Sequence, residues 1–314
     1  MTYSSSKFAL TIAIPTFNRK SHVEKLIHQI NANKVNEIAE VLVIDDGSND
    51  QTFETLIKYA DKKAIRIMRN ESNLGYPHTF VRLFKECRTE YILVMADDDF
   101  LVIESLKPLI EFITSENPPF VSPQFLHKGL IYRGQTEKRY INPKEFWKCS
   151  SHAPGLVYNV TISRDYLDML TNRITEQKED ALVYPQIVLV ISLLSVKAKS
   201  YWFPLPVAAT GAEESSGIRG SDGSAYWSFE SRWRQLKAFE ELLVHSADGG
   251  RAVKEILDTL RGMTFDRIVG TMESESPELR KSFDSEAKKY YLKQFIRKFI
   301  PVRQLKKLVH IFSK

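Results

Sequence analysis

The chain has 314 residues, 43% hydrophobic and 26% charged, enough to bury a core as one large or two modest domains. Its formal charge of +5 is uneven: residues 280–314 carry eleven Lys or Arg against two acids, which leaves the rest at about −4 by difference. Two cysteines, Cys87 and Cys149, exclude a disulfide framework, the opening MTYSSSKFAL lacks a signal-like apolar stretch, and the apolar run 182–196, interrupted by Pro185 and Gln186, is shorter than a spanning helix needs; a cytoplasmic setting is expected.

In chain order, FALTIAIPTFNR is an apolar, β-branched run read as a strand. Ser21 and Glu24 have the S-x-x-E spacing of a capping box and open the predicted helix HVEKLIHQINAN. AEVLVIDDGS is a second strand with the helix NDQTFETLIKYA, and AIRIMRN a third, followed after Asn73-Leu74-Gly75 by a helix through TFVRLFKEC. EYILVMADDD is a fourth, with the helix SLKPLIEFIT. This alternation predicts an α/β fold with a mostly parallel sheet covered on both faces.

In such sheets ligands bind beyond the carboxyl ends of the strands, where the polar residues of this chain gather. Pro15, Thr16, Phe17, Asn18 and Arg19 follow the first strand, Asp45 and Asp46 the second, Asn73 and Gly75 the third, and Asp97, Asp98 and Asp99 the fourth. Three adjacent carboxylates repel one another unless a cation offsets them. Mg²⁺ or Mn²⁺ bound by one or two carboxylates and by substrate phosphates removes that penalty. The plain alternative is that the acids cap the following helix and complement its dipole.

Past residue 118, FVSPQFLHKGLIYRG, GLVYNVTIS and KSYWFPLPVAA read as strands and ALVYPQIVLVISLLSV as a buried helix. The Gly- and Ser-rich stretch 211–224 has the composition of a lid, and from Ala225 onward the chain reads as helical. His78, His127 and His152 lack metal-ligand spacing and are expected to be structural.

TIAIPTFNR, VLVIDDGSNDQT, NLGYPHTF and EYILVMADDD, in this order and spacing, resemble the family 2 glycosyltransferases over about the first 115 residues. The resemblance implies a GT-A (Rossmann-like) fold with a helical C-terminal extension. It implies a catalytic domain over 1–224, split into a nucleotide-sugar half (1–118) and an acceptor half (119–224), then a helical region over 225–314. It further implies that Pro15 to Arg19, Asp45, Asp46, Asn73, Gly75 and Asp97 surround the nucleotide, with Arg82 near its base or phosphates. For Arg82 a solvated helix arginine is the favoured reading over that placement. Asp98 is the expected main metal ligand, with Asp99 ligating or supporting; where the family often has an acid, this chain has Ala96. The implied reaction is inverting transfer from a nucleotide diphosphate sugar, UDP-sugar favoured, with Mn²⁺ or Mg²⁺, to a saccharide or lipid-linked acceptor in bacterial-type surface polysaccharide synthesis. The family places its base 80 to 100 residues past the metal motif, which points to Asp180, with Glu179 beside it; an acidic helix start is the alternative reading. Tyr226, Trp227 and Trp233 follow at a spacing compatible with a helix, and their ring faces suit sugars. FESRW approaches the Q-x-x-R-W motif of processive members, but Phe229 holds the glutamine position, so it reads as core rather than a chain-binding box and a single-addition enzyme is expected.

Leu292, Phe295, Ile296 and Phe299, then Leu305, Leu308, Val309 and Phe312 after Pro301, form apolar stripes among basic residues. Residues 280–314 therefore suit an anionic membrane surface, which would make the protein peripheral on the inner face of the membrane, or pack against protein, including a second subunit. Nucleic acid is not expected, since no recognition module accompanies the charge. Against a phosphorylation receiver domain, its acidic pair follows the first strand, whereas Asp45 and Asp46 follow the second. The alternatives left open are a catalytically inactive nucleotide-sugar scaffold and a nucleotidyltransferase, although no glycine-rich, basic phosphate loop follows the first strand.

Overall fold

The computed structural model describes residues 7–60, 64–211, 221, 225–245, 251–271 and 277–299. The amino-terminal elements are β1 (Leu10–Thr16), α1 (Lys20–Ala32), β2 (Glu40–Asp45), α2 (Thr52–Leu56), β3 (Ile65–Arg69), α3 (Tyr76–Glu86), β4 (Tyr91–Val94), β5 (Phe100–Leu101) and α4 (Leu106–Glu116). Then come β6 (Phe120–His127), β7 (Leu130–Arg133), β8 (Arg139–Tyr140), α5 (Phe146–Ser150), β9 (Leu156–Asn159), α6 (Val160–Arg164), α7 (Leu167–Thr175), α8 (Glu179–Val183), α9 (Pro185–Leu194) and β10 (Tyr201–Ala209). Three helices follow: α10 (Phe229–His245), α11 (Arg251–Thr271) and α12 (Pro277–Phe299).

One sheet runs in the order β3-β2-β1-β4-β9-β6-β10-β5, with β7 on β6 and β8 on β10. Strands β3, β2, β1 and β4 are parallel, as expected. Beyond them the sheet is mixed: β6 and β10 are parallel, whereas β9 is antiparallel to both β4 and β6, and β5, β7 and β8 also pair antiparallel. One of these pairs is a hairpin. Lys128 and Gly129, both at positive φ, turn β6 straight back into β7 as a two-residue hairpin.

Side chains alternate across each central strand, so successive residues feed opposite layers. Leu10, Ile12 and Ile14 of β1, Val41 and Val43 of β2 and Leu93 of β4 pack with Leu26 and Ile30 of α1 and Leu109 and Ile113 of α4. Ala13, Leu42, Ile44, Ile92 and Val94 face the other way, onto Phe80 and Phe84 of α3, Val188 of α9 and the C-terminal helices. Burial on both faces explains why these strands read as continuous apolar runs.

Local chemistry departs from the sequence reading in places. The Ser21 capping box does not form: α1 begins at Lys20 with Arg19 as its uncapped N-cap, and Asp50 accepts the Lys20 N–H at 3.3 Å instead. The apolar run of 181–196 is two helices, because Tyr184 precedes Pro185 and takes a non-helical conformation between α8 and α9. GLVYNVTIS is half strand and half helix, with the Asn159 side chain capping α6 through the Ile162 N–H at 3.1 Å. The stretch 211–224 lies outside the described residues except for Gly211 and Ser221.

Candidate active site

The carboxyl ends of β1, β2 and β4 open onto a cavity of about 590 Å³. Pro15, Thr16, Phe17, Arg19, Asp46, Asp97 and Asp98 line one part of it. Tyr76, Trp147, His152, Tyr184, Gln186, Tyr226 and Arg232 line another. A smaller cavity of about 280 Å³ is bordered by His22, Lys25, Asp97, Asp98, Asp99 and Gly211.

The first part is built by cross-links between strand ends. The Thr16 hydroxyl donates to Asp97 at 2.7 Å, tying β1 to the turn after β4. Arg19 donates to Asp97 at 3.1 Å and to Asp98 at 2.8 Å, so one guanidinium holds two of the three repelling carboxylates. Burial pushes the Asp97 carboxyl above the usual range, against the pull of Thr16 and Arg19. Burial, with the charges of Asp98 and Asp97, pushes Asp99 up to about 7; its oxygen accepts the Gly211 N–H at 3.2 Å. Of the two expected metal ligands, then, Asp98 lines the larger cavity, whereas Asp99 borders only the smaller one.

Asp46 accepts the N–H groups of Leu74 at 3.0 Å and Gly75 at 2.9 Å and the Asn70 amide at 2.5 Å, which orients it at the cavity wall. Asp45 does not reach the cavity: it is fully buried, accepts the Ser48 N–H and stands 3.3 Å from Arg69. Asn18 is also a stitch rather than a lining residue. Its N–H donates to Ser48 at 2.8 Å and its side chain accepts from Asn49 at 2.9 Å, locking the turn after β1 to that after β2. Asn73 accepts the Gly75 N–H at 2.9 Å, and neither residue lines the cavity.

Two further expectations are corrected. Arg82 points away from the cavity to the Arg69 carbonyl at 2.9 Å and to the Asn70 side chain; it acts through Asn70 on Asp46. Asp180 is fully buried, with two of its contacts to Arg173 at 2.8 and 3.1 Å. Glu179 accepts from Ser231 at 2.5 Å and from the Ser221 N–H at 2.8 Å. Neither carboxylate lines the cavity, because α8 turns its acidic first turn into the junction with α7 and α10, where cations and hydroxyls meet it.

Of the other wall's rings, the sequence offers only Tyr226 as an aromatic face that suits a sugar. Trp147 and Tyr184 stand edge to face with ring centres 5.2 Å apart, and Tyr184 and Tyr226 likewise at 6.3 Å. His152 packs on Phe125, with ring centres 4.1 Å apart, and its Nδ1 is buried without a partner. Burial, with the Arg133 charge nearby, lowers its pKa to about 3, so the ring is neutral at ordinary pH. In FESRW, Trp233 is core, packed on Phe283, while Arg232 reaches the cavity. For Arg232, the proximity of that motif to Q-x-x-R-W was the available signal.

Residues 11–153 match the family model described as Glycosyl transferase family 2. A poly(ribitol-phosphate) β-N-acetylglucosaminyltransferase, TarS of Staphylococcus aureus, is 24% identical over 205 residues, 62% of this chain and 35% of that protein. The abequosyltransferase RfbV of Salmonella typhimurium is 30% identical over 34% of this chain and 33% of its own length. The chain thus spans about a third of the length of either curated relative. Among solved structures, residues 1–349 of S. aureus TarS in complex with UDP-GlcNAc superpose with a TM-score of 0.60 at 17% identity, covering 84% of this chain and 73% of that one. A mannosyltransferase from Pyrobaculum calidifontis, solved with GDP-Man and Mn²⁺, superposes at 0.51 and 13% identity, covering 98% and 90%. The fold is therefore that of the GT-A class, a mixed α/β sheet with helices on both faces and a helical C-terminal region. The match to family 2 glycosyltransferases lies over residues 11–153, a little under half of the chain.

Proposed function

We propose that this protein transfers a sugar from a nucleotide diphosphate sugar, UDP-sugar favoured, to a saccharide or lipid-linked saccharide in bacterial-type surface polysaccharide synthesis. The carrying observation is the cavity at the carboxyl ends of β1, β2 and β4, which gathers Pro15, Thr16, Phe17, Arg19, Asp46, Asp97 and Asp98 on one wall. The relatives support the direction: TarS is solved with UDP-GlcNAc, and its name and that of RfbV are those of sugar transferases.

A divalent ion fits the acidic wall. Asp97 and Asp98 already share one cationic group, the Arg19 guanidinium. Among the described residues no three His, Cys, Asp or Glu converge as a cage, which leaves the pattern of one or two carboxylates completed by substrate phosphates. Asp98, aided by Asp97, would hold Mn²⁺ or Mg²⁺, with Asp99 supporting the turn from behind. When bound, the ion supplies charge stabilisation to a departing diphosphate. The chain's own residues do the positioning: Asp46 and the turn Pro15 to Arg19 fix the nucleotide, and the wall of Trp147, Tyr184 and Tyr226 excludes water and presents ring faces to sugars.

One observation favours the inactive scaffold as second reading. Among the described residues the cavity's carboxylates are Asp46, Asp97 and Asp98, so no acid stands on the acceptor wall where a base is needed. Hydrolysis of UDP-GlcNAc and a panel of UDP-sugars, in which water takes the sugar and UDP is released, measured with and without Mn²⁺, separates the two. The transferase reading expects turnover with at least one donor, lost in chelator and lowered at least a hundredfold in Asp98→Ala. Binding without turnover across the panel would favour the scaffold, and no binding at all would end both.

A further inference from the structure

Arg232 is unlike the other arginine of the cavity. Arg19 is engaged by Asp97 and Asp98, whereas no carboxylate among the described residues forms an ion pair with Arg232. Neutral groups hold it instead. Its Nη1 donates to the Tyr184 hydroxyl at 2.9 Å and to Gln235 Oε1 at 3.0 Å. Its guanidinium stands over the rings of Tyr184 and Tyr226, 5.9 and 5.6 Å from their centres. Gln235 is fixed in turn, donating to the Tyr226 carbonyl at 2.7 Å and to the Ser231 hydroxyl at 3.0 Å. The result is an oriented, uncompensated positive charge on a cavity wall, set among aromatic side chains that cannot neutralise it.

A guanidinium held this way favours an oxyanion, to which it offers paired N–H donors. The flanking rings of Trp147, Tyr184 and Tyr226 favour the flat apolar face of a pyranose. These groups come from α5, the α8–α9 break and the start of α10, separate in the chain from the strand ends that carry Asp46, Asp97 and Asp98. We propose that Arg232 and this aromatic wall form an acceptor subsite for a saccharide bearing an oxyanion, a phosphate or a carboxylate. The assignment rests on the transferase reading and names the acceptor class for the same cavity. It also gives the guanidinium of FESRW a use that its buried tryptophan does not share.

The test is calorimetric titration of the full chain with glucose 1-phosphate, methyl β-glucuronide and neutral methyl β-glucoside, each with and without UDP and Mn²⁺, for wild type, Arg232→Gln and Arg232→Lys. UDP with Mn²⁺ is titrated alone into all three proteins. Wild type is expected to bind one or both charged probes at least tenfold more tightly than the neutral one. Arg232→Gln should erase that preference, Arg232→Lys should keep part of it, and the affinity for UDP should stay within about twofold. Whichever charged probe wins distinguishes phosphate from carboxylate. Equal binding of charged and neutral probes by wild type, which needs no variant to fold, overturns the proposal. So does a charge preference that persists in Arg232→Gln, or a loss of UDP affinity matching the loss for the charged probe, which would assign Arg232 to the donor diphosphate. Failure of UDP to bind wild type would instead strike the transferase reading, while the probe arms without nucleotide still decide the subsite.

Discussion

Asp46 and Asp180 are both held carboxylates, and their partners separate their roles. Asp46 is fixed by backbone N–H groups and one amide and keeps a place on the cavity wall. Asp180 is held by the Arg173 guanidinium inside the protein and reaches no cavity. Breaking a buried ion pair by removing one partner typically costs about 3 kcal/mol or more. Asp180→Ala should therefore lower the denaturation free energy by about that much while UDP affinity stays unchanged in the folded protein. A stable variant that binds donor normally and has lost turnover would instead restore Asp180 as the base. The strand-end acids were legible because repulsion among them demands a cation; Asp180 was misplaced because sequence spacing shows an acid but not the Arg173 that waits for it. His152 gives a second test at this scale. Its folded pKa is near 3, against 6.5 for the free side chain. Between those values the unfolded chain binds the extra proton, so stability falls as pH drops below about 6.5, by up to about 1.4 kcal/mol per unit. Melts of wild type and His152→Phe from pH 7 to 4.5 should show a shallower decline in the variant; equal slopes would mean the ring is accessible to protons.

At the scale of elements, the four parallel strands and their helices could be read because each strand is buried on both faces and each helix carries one apolar stripe. Turns were less legible, since they depend on partners distant in sequence. The start of α1 illustrates this: Ser21 and Glu24 match a cap in spacing, yet Asp50 from the next loop takes the job. Gly47 shows the same dependence. It sits at φ +73, and a Cβ there would come within 2.5 Å of the Ser72 backbone, so the loop after β2 and the one after β3 approach only because this residue is glycine. Gly47→Ala should part them, release the contacts of Leu74 and Gly75 with Asp46, and weaken UDP binding about tenfold or more, with a stability loss of about 1 to 3 kcal/mol. Calorimetry on the folded variant checks this, and unchanged affinity would show that the loop pairing does not set the nucleotide site.

Across the whole molecule, the helical region is part of the core rather than an appendage. Phe229 and Trp233 of α10, Phe265 of α11 and Phe283 of α12 are mutually packed and buried. The basic segment that begins at residue 280 thus starts inside a packed helix, and its apolar stripe starts on another face, where Leu292 is 61% exposed. Phe295, Ile296, Phe299 and the second stripe fall on side chains outside the described residues. Among the described residues no helix is long and apolar enough to cross a membrane. Attachment to an anionic membrane through the tail is our proposal, and a second copy of the chain is the competing occupant. Removing residues 300–314 spares the packed part of α12. It should reduce co-sedimentation with phosphatidylglycerol vesicles and leave the melting temperature unchanged; equal sedimentation together with a smaller assembly in solution would favour the second copy.

The acidic wall at the mouth of the sheet carries the account, and diffraction from a crystal soaked with Mn²⁺ and UDP-GlcNAc examines it most directly. An anomalous manganese peak bridging Asp98 and the diphosphate, with the uridine between Phe17 and Asp46, is the predicted result. Nucleotide seated elsewhere, or seated there with no metal at Asp97 or Asp98, would contradict it.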